Sequence, residues 1–168
     1  MPGKLQPNKN KKSGGYLLVE LMIGISIAVV GLLGILGLLS RSMSLSRVIS
    51  SQLTANYLAA EGVEISKNII DANIIQGKSW NQGFDMNGSF EADYSSTNLE
   101  LNQNRKLLFD ESSNLYSYES GEESPFTRII SVYPIGSDEI KIDSTVSWTD
   151  RGSAKFQISM EDHFFNWR

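Results

Sequence analysis

The sequence predicts an α+β fold in which one long N-terminal helix packs on a C-terminal antiparallel β-sheet. Three observations lead there. Residues Leu21 to Leu39, LMIGISIAVVGLLGILGLL, contain no charge and one hydroxyl. Beyond them Leu45, Val48, Ile49, Leu53, Tyr57, Ala60, Val63, Ile70 and Ile74 recur at steps near three and four with no proline between. The last part of the chain instead alternates with period two, as strands do.

In chain order, residues 1–15 form a basic leader with Lys4, Lys9, Lys11 and Lys12 and no acid. Residues 16–40 follow as the spanning segment, whose apolar core of roughly 28 Å matches a bilayer interior. The rest of the chain is too small and polar to enclose a rod that is apolar all round. More basic residues precede the segment than follow it, where Arg41 and Arg47 stand. The positive-inside rule therefore places the N-terminus in the cytoplasm and the remainder outside. A cleaved secretory signal would have a shorter apolar run with small residues after it. Here the small residues, Ser13-Gly14-Gly15, come before it, and Ser40-Arg41-Ser42-Met43 makes a poor cut site.

Residues 41–76 continue the helix as an amphipathic stalk, which Gly77 is suited to end in a left-handed C-cap. Residues 77–168 form a β-rich head. Its start, to about Asn104, is rich in Asn, Ser, Gly and Asp and reads as loop with one short strand near Phe90 to Tyr94. Lys106 to Phe109 and Asn114 to Tyr118 are short strand candidates, and Phe126 to Tyr133 is a stronger one, halted by Pro134 and Gly136. Ile140, Ile142, Val146 and Trp148 share one face, as do Ala154, Phe156, Ile158 and Met160, with Asp150-Arg151-Gly152 turning between them. About four strands result. Their apolar face needs a cover, and the amphipathic half of the helix is long enough to supply it.

Composition narrows the function. The net charge is -4, and losing the four leader lysines while keeping all 19 acids takes it to about -8. An acidic body without a basic run gives no footing for nucleic-acid binding. With no cysteine there is no disulfide, thiolate metal site or thiol nucleophile. The single histidine, His163, stands without a G-x-S-x-G elbow, and phosphate-binding, dinucleotide and metal motifs are missing. Asp85-Met86-Asn87-Gly88 begins like a calcium loop but lacks Gly at the sixth position and Glu at the twelfth, so it reads as a turn. Glu119, Glu122 and Glu123 read as a solvated loop. We therefore expect no enzymatic activity, no cofactor and no metal.

The most informative residue is Glu20, a carboxylate at the mouth of the uncharged segment. It either stays hydrated at the membrane edge or pairs with a cation. If the chain is cut after Gly15, the new amine on Tyr16 lies one helical turn from Glu20, and a charge-assisted pair becomes available.

The tract Lys11-Lys12-Ser13-Gly14-Gly15-Tyr16-Leu17-Leu18-Val19-Glu20-Leu21-Met22 resembles the class III signal of type IV pilins and pseudopilins. It shares with them a basic leader, Gly before the cut, an aromatic residue after it, and Glu fifth in the mature chain. The resemblance implies cleavage between Gly15 and Tyr16 by a membrane prepilin peptidase and N-methylation of Tyr16. It also implies a contact of Glu20 with a neighbouring subunit's amine, which sets assembly register. Other pilin subunits, an assembly platform and an ATPase are the implied partners, besides the membrane.

Strong likeness covers about residues 11–40. The family's frequent mid-helix proline is absent, with Gly31, Gly34 and Gly37 in that region, and the disulfide common in major subunits cannot form. The first point bears on local unwinding of the helix, and the second favours a minor pilin or pseudopilin over the major subunit. Ala59-Ala60-Glu61-Gly62-Val63-Glu64, Trp148 and the ending Phe165-Asn166-Trp167-Arg168 are similar to minor pilins known as pilus modification proteins, and the first tract also to I-type pseudopilins. The expected function is structural. An uncleaved single-pass anchor carrying an extracytoplasmic binding domain is the alternative.

Overall fold

The structure is a computed structural model and describes residues 13–150 and 154–166. The four leader lysines, Arg151-Gly152 of the expected turn and the terminal Trp167-Arg168 lie outside the described residues. The fold is α+β: a helix α1, Ser13–Ile75, precedes eight short to medium strands arranged in two antiparallel sheets.

Helix α1 ends where the sequence places a glycine. Gly77 has φ +70°, its N–H donates to the Ile74 carbonyl at 3.0 Å, and the Lys78 N–H reaches back to the Asn73 carbonyl at 2.9 Å. These are the paired bonds of a Schellman cap, and they need a residue at ease with positive φ.

The chain falls into two compact units, Met1–Arg47 and Val48–Arg168, with α1 running through the boundary. In the first, every residue from Gly15 to Arg47 is exposed. The second contains the remainder of α1 and all the strands, β1 (Gly88–Glu91), β2 (Glu100–Leu101), β3 (Leu108–Asp110), β4 (Leu115–Ser117), β5 (Glu122–Glu123), β6 (Thr127–Ile135), β7 (Glu139–Thr149) and β8 (Lys155–Phe165). One sheet has the order β2-β1-β6-β7-β8 and the other β4-β3-β5.

Several expectations need correction. Among the described residues the strands number eight rather than about four, in part because β2 and β5 are two-residue pieces held by their neighbours and carry no periodicity of their own. Glu122 and Glu123, expected in a loop, form β5 while remaining exposed. The first strand begins and ends earlier than Phe90 to Tyr94. Strand β6 does not stop at Tyr133 but runs through Pro134, which lies opposite Ile140 on β7. Its other neighbour, β1, reaches only Val132, so the proline has one pairing partner and costs the ladder little. Strand β8 extends past Met160 to Phe165.

The largest correction concerns the buried stripe of α1. Leu45, Ile49, Leu53 and Tyr57 are exposed, Tyr57 to 68%. The face that meets the sheet keeps Val63 and Ile70 from the expected stripe and adds Ala55, Leu58, Ala59, Gly62, Ile65, Ser66, Ile69 and Asn73. Its first half is built of small residues, which hydropathy weighs lightly but which let the helix axis approach the sheet. At Gly62 the approach is closest, since a Cβ there would collide with the Ser144 hydroxyl and stand 3.1 Å from Arg128 Cδ.

Two apolar clusters result. Ile65, Ile69 and Ile70 meet Phe84, Ile130, Val132, Ile140 and Ile142 in one. Ala55, Leu58 and Ala59 meet Leu107, Phe126, Val146 and Trp148 in the other, with Phe156 stacked on Trp148 at 5.5 Å. Between them runs a polar seam of Gly62, Ser66, Arg128 and Ser144, all buried. The Arg128 guanidinium, fully buried, donates to Glu61 Oε2 at 2.8 Å, to the Leu58 carbonyl at 3.1 Å and to the Ala92 carbonyl at 2.6 Å.

Candidate functional site

The sequence-predicted residues Gly15, Tyr16 and Glu20 lie near the start of α1. Tyr16 is 78% exposed, and Glu20 shares a shallow recess of about 300 Å³ with Leu17, Leu21 and Gly24. Four residues along an α-helix rise about 6 Å and return to nearly the same face, so Tyr16 and Glu20 stand one turn apart. Around them Leu17, Leu18, Val19, Leu21, Met22, Ile23 and the large apolar residues onward to Leu39 are all at least 49% exposed. The hydroxyl within this stretch is accommodated, since Ser26 Oγ donates to the Met22 carbonyl at 2.7 Å. This is one helix long and apolar enough to cross a membrane, with a mean hydropathy of 2.6 over its most apolar window and none of that window buried. A surface of this kind is stable only against lipid or against other apolar helices.

The second constellation was not visible in the sequence. Glu91, on β1, is 1% exposed; its Oε1 accepts the backbone N–H groups of Gln103 and Arg105, each at 2.9 Å, and its Oε2 accepts Arg105 Nε at 2.7 Å. Arg105 also donates to Glu100 at 3.0 Å and lies 4.7 Å above the Tyr118 ring. The bond from Glu91 raises the Arg105 guanidinium above its ordinary value. Burial pushes the Tyr118 phenol up to about 12. At Asp93 burial also acts upward, but the Tyr118 N–H and the Ser95 hydroxyl and N–H outweigh it and hold the carboxyl below its ordinary value. These groups line a polar cleft of about 400 Å³. They fold the 92–105 loop back onto β1, because each Glu91 oxygen is engaged by a donor from the far end of that loop.

His163 faces outward from β8 between two carboxylates, with Nδ1 2.6 Å from Glu139 and Nε2 3.2 Å from Glu161. The bond to Glu139, then that to Glu161, raises the imidazole above its ordinary value of 6.5. Lys141 and His163 together lower the Glu161 carboxyl to about 2. A histidine raised on folding contributes stability that is complete below its unfolded pKa and disappears as pH rises through the folded one. The His163 ring protons should therefore titrate by NMR with a midpoint above 6.5, and Glu139→Gln should bring it down. A midpoint unmoved by Glu139→Gln would separate the ring from that carboxylate in solution.

Asp85 to Asn87 form an exposed bend before β1, and among the described residues no group of three or more His, Asp or Glu is arranged to hold a metal ion. Of the residues that sequence reasoning missed, Arg128 did leave a signal. It stands in phase with Phe126, Ile130 and Val132, the positions that alternation marks as inward.

The architecture is that of a membrane-compatible helix, apolar at its start, whose later part packs on an antiparallel sheet. That layout is pilin-like. Comparison with known proteins finds no matching family, no matching curated protein and no matching solved structure.

Proposed function

We infer that this protein is a structural subunit, a minor pilin, that is cut between Gly15 and Tyr16, N-methylated on Tyr16 and assembled through α1 into a pilus or pseudopilus filament. The observation that carries the reading is Glu20. It is the only charge on the exposed stretch Tyr16–Leu39, one turn from the amine that cleavage would create, directly after a basic tract ending in Gly-Gly. Buried in a bundle of such helices, a carboxylate needs a cation, and the amine of a neighbouring subunit supplies it.

On this reading residues 1–15 are the leader, 16–40 the spanning and assembly segment, 41–76 the stalk and 77–168 the extracytoplasmic part. The precursor sits in the plasma membrane with its N-terminus in the cytoplasm, and its partners are the prepilin peptidase, other subunits and the assembly platform with its ATPase. No catalysis, cofactor or nucleic acid enters. At Gly31, Gly34 and Gly37 an added Cβ would meet no atom within 4 Å, so the helix surface there is open to close approach by another helix.

The Gly15-Tyr16 bond lies within α1. A protease needs that turn opened, and each glycine weakens a helix by about 1 kcal/mol relative to alanine, so Gly14-Gly15 is a weak point placed at the cut. Membrane-extracted protein should start at N-methyl-Tyr16 by intact mass and N-terminal peptide analysis. Gly15→Ala should slow processing modestly, and Gly15→Leu should leave the full-length precursor. Mature protein that retains Met1 would overturn this reading and favour the uncleaved anchor with a binding domain.

A further inference from the structure

After α1 the chain passes through an exposed bend at Asp85 and Met86 to Asn87, and then enters β1 with Gly88 and Ser89. Asn87-Gly88-Ser89 has the form N-x-S with x other than proline, the acceptor triplet for transfer of a glycan to an asparagine amide. Asn87 is alone among the asparagines of the chain in having Ser or Thr two residues further on. The exposed acid Asp85 precedes it by two residues, and transferases of prokaryotic membranes read an acid there together with the hydroxyl.

So short a triplet also arises by chance, and its surroundings decide whether it can be used. Asn87 is exposed, and among the described residues no hydrogen bond engages its amide. By contrast Asn73 donates to the Gln82 carbonyl at 2.9 Å, and Asn81 accepts the Ser79 hydroxyl at 2.6 Å. A sugar on Asn87 Nδ2 therefore displaces no partner. Ser89 is exposed as well, so both side chains that the acceptor needs are within reach. Met86 beside them is 68% exposed, an apolar side chain that a hydrophilic glycan would cover.

The order in which strands pair keeps the triplet open at the right time. Gly88 and Ser89 pair with Val132 and Ser131 of β6, and the whole of β2 to β5 lies between them in the chain. Strand β2 arrives sooner, but it pairs with Phe90 and Glu91, beyond the triplet. Pairing between distant segments is slow to form, so a chain that emerges in sequence order presents Asn87 unpaired until β6 has followed.

We propose that Asn87 is N-glycosylated on the outer side of the membrane. This rests on the extracytoplasmic placement proposed for residues 77–168, and on neither cleavage nor assembly. The donor class is a lipid-pyrophosphate-linked oligosaccharide. Its bond from sugar C1 to the pyrophosphate oxygen breaks as a bond from C1 to Asn87 Nδ2 forms. The released lipid pyrophosphate keeps the bonding electrons and the amide gives up one proton, so no oxidant or reductant is needed.

Tandem mass spectrometry of the full chain, extracted from membranes of the cells that make it, tests this apart from the filament reading. The peptide spanning Asn87 should carry the mass of a glycan and lose sugar on fragmentation. Asn87→Gln and Ser89→Ala should each abolish the modified form, whereas Ser89→Thr should keep it. Asn98→Gln, at another exposed asparagine, should leave it unchanged. Unmodified Asn87 in a chain that starts at N-methyl-Tyr16 overturns the proposal and leaves the filament reading standing; glycosylated Asn87 in a chain that retains Met1 does the reverse. The small mass gain of deamidation at Asn87-Gly88 alone, or a glycan indifferent to Ser89→Ala, also overturns it.

Discussion

Arg128→Ala is expected to destabilise the Val48–Arg168 unit by about 3–5 kcal/mol, the cost of breaking a buried ion pair by removing one partner. The side chain is fully buried, and its three acceptors come from α1 and from Ala92 at the end of β1. Without it Glu61 and the Ala92 carbonyl lose their donor, and a large cavity opens under Gly62. The double variant Arg128→Met, Glu61→Leu removes both charges while keeping volume, and should recover a substantial part of the loss. Urea unfolding of the four combinations gives the coupling between the two residues. A loss below about 1 kcal/mol for Arg128→Ala would show that the interactions of this buried cation are energetically idle.

Glu20→Gln is expected to have an effect of similar size at a different stage. The substitution keeps the side chain's volume and removes its charge, so the amine of a neighbouring subunit would be buried without a counterion. That penalty, about 3–5 kcal/mol, opposes assembly but not the isolated subunit in lipid. The variant should be processed normally, accumulate in the membrane fraction and be scarce among sheared filaments. Equal amounts of wild type and variant in filaments would remove Glu20 from assembly and support a permanent anchor.

The class of fold was legible because its two periods are long and cleanly separated in the chain. The apolar run at 21–39, the glycine stop at 77 and the β7 alternation all read correctly, since each rests on a local rule that no distant contact overrides. The helix stripe read only in part, at Val63 and Ile70. Large residues such as Leu53 and Tyr57 dominate a hydropathy reading, whereas the face that packs is chosen by how near the sheet comes, and Ala55, Ala59, Gly62 and Ser66 permit that nearness. Strands β2 and β5 went unread because two residues carry no pattern. The Glu91–Arg105 staple joins groups 14 residues apart across a loop, and nothing local announces it. Gly15, Tyr16 and Glu20 stand out in the sequence as a motif, and the processing and assembly proposed for it would give it a meaning that is chemical rather than architectural.

The seam at Gly62 bears on slippage. Ala55 and Ala59 are four residues apart, and so are Ile65 and Ile69, so a helix shifted by one turn, about 5.4 Å, would keep part of its apolar contact while setting Glu61 where Ile65 packs or Asn73 where Ile69 packs. The two greasy clusters therefore oppose a ratchet along the helix axis only in part. The seam objects more sharply. A one-turn shift would bring Leu58 or Ser66 to the place where Gly62 admits the Ser144 hydroxyl, and would carry Glu61 away from the buried guanidinium. The apolar residues supply the grip and the four polar or small ones supply the address, like the single pin that fixes a sliding bolt.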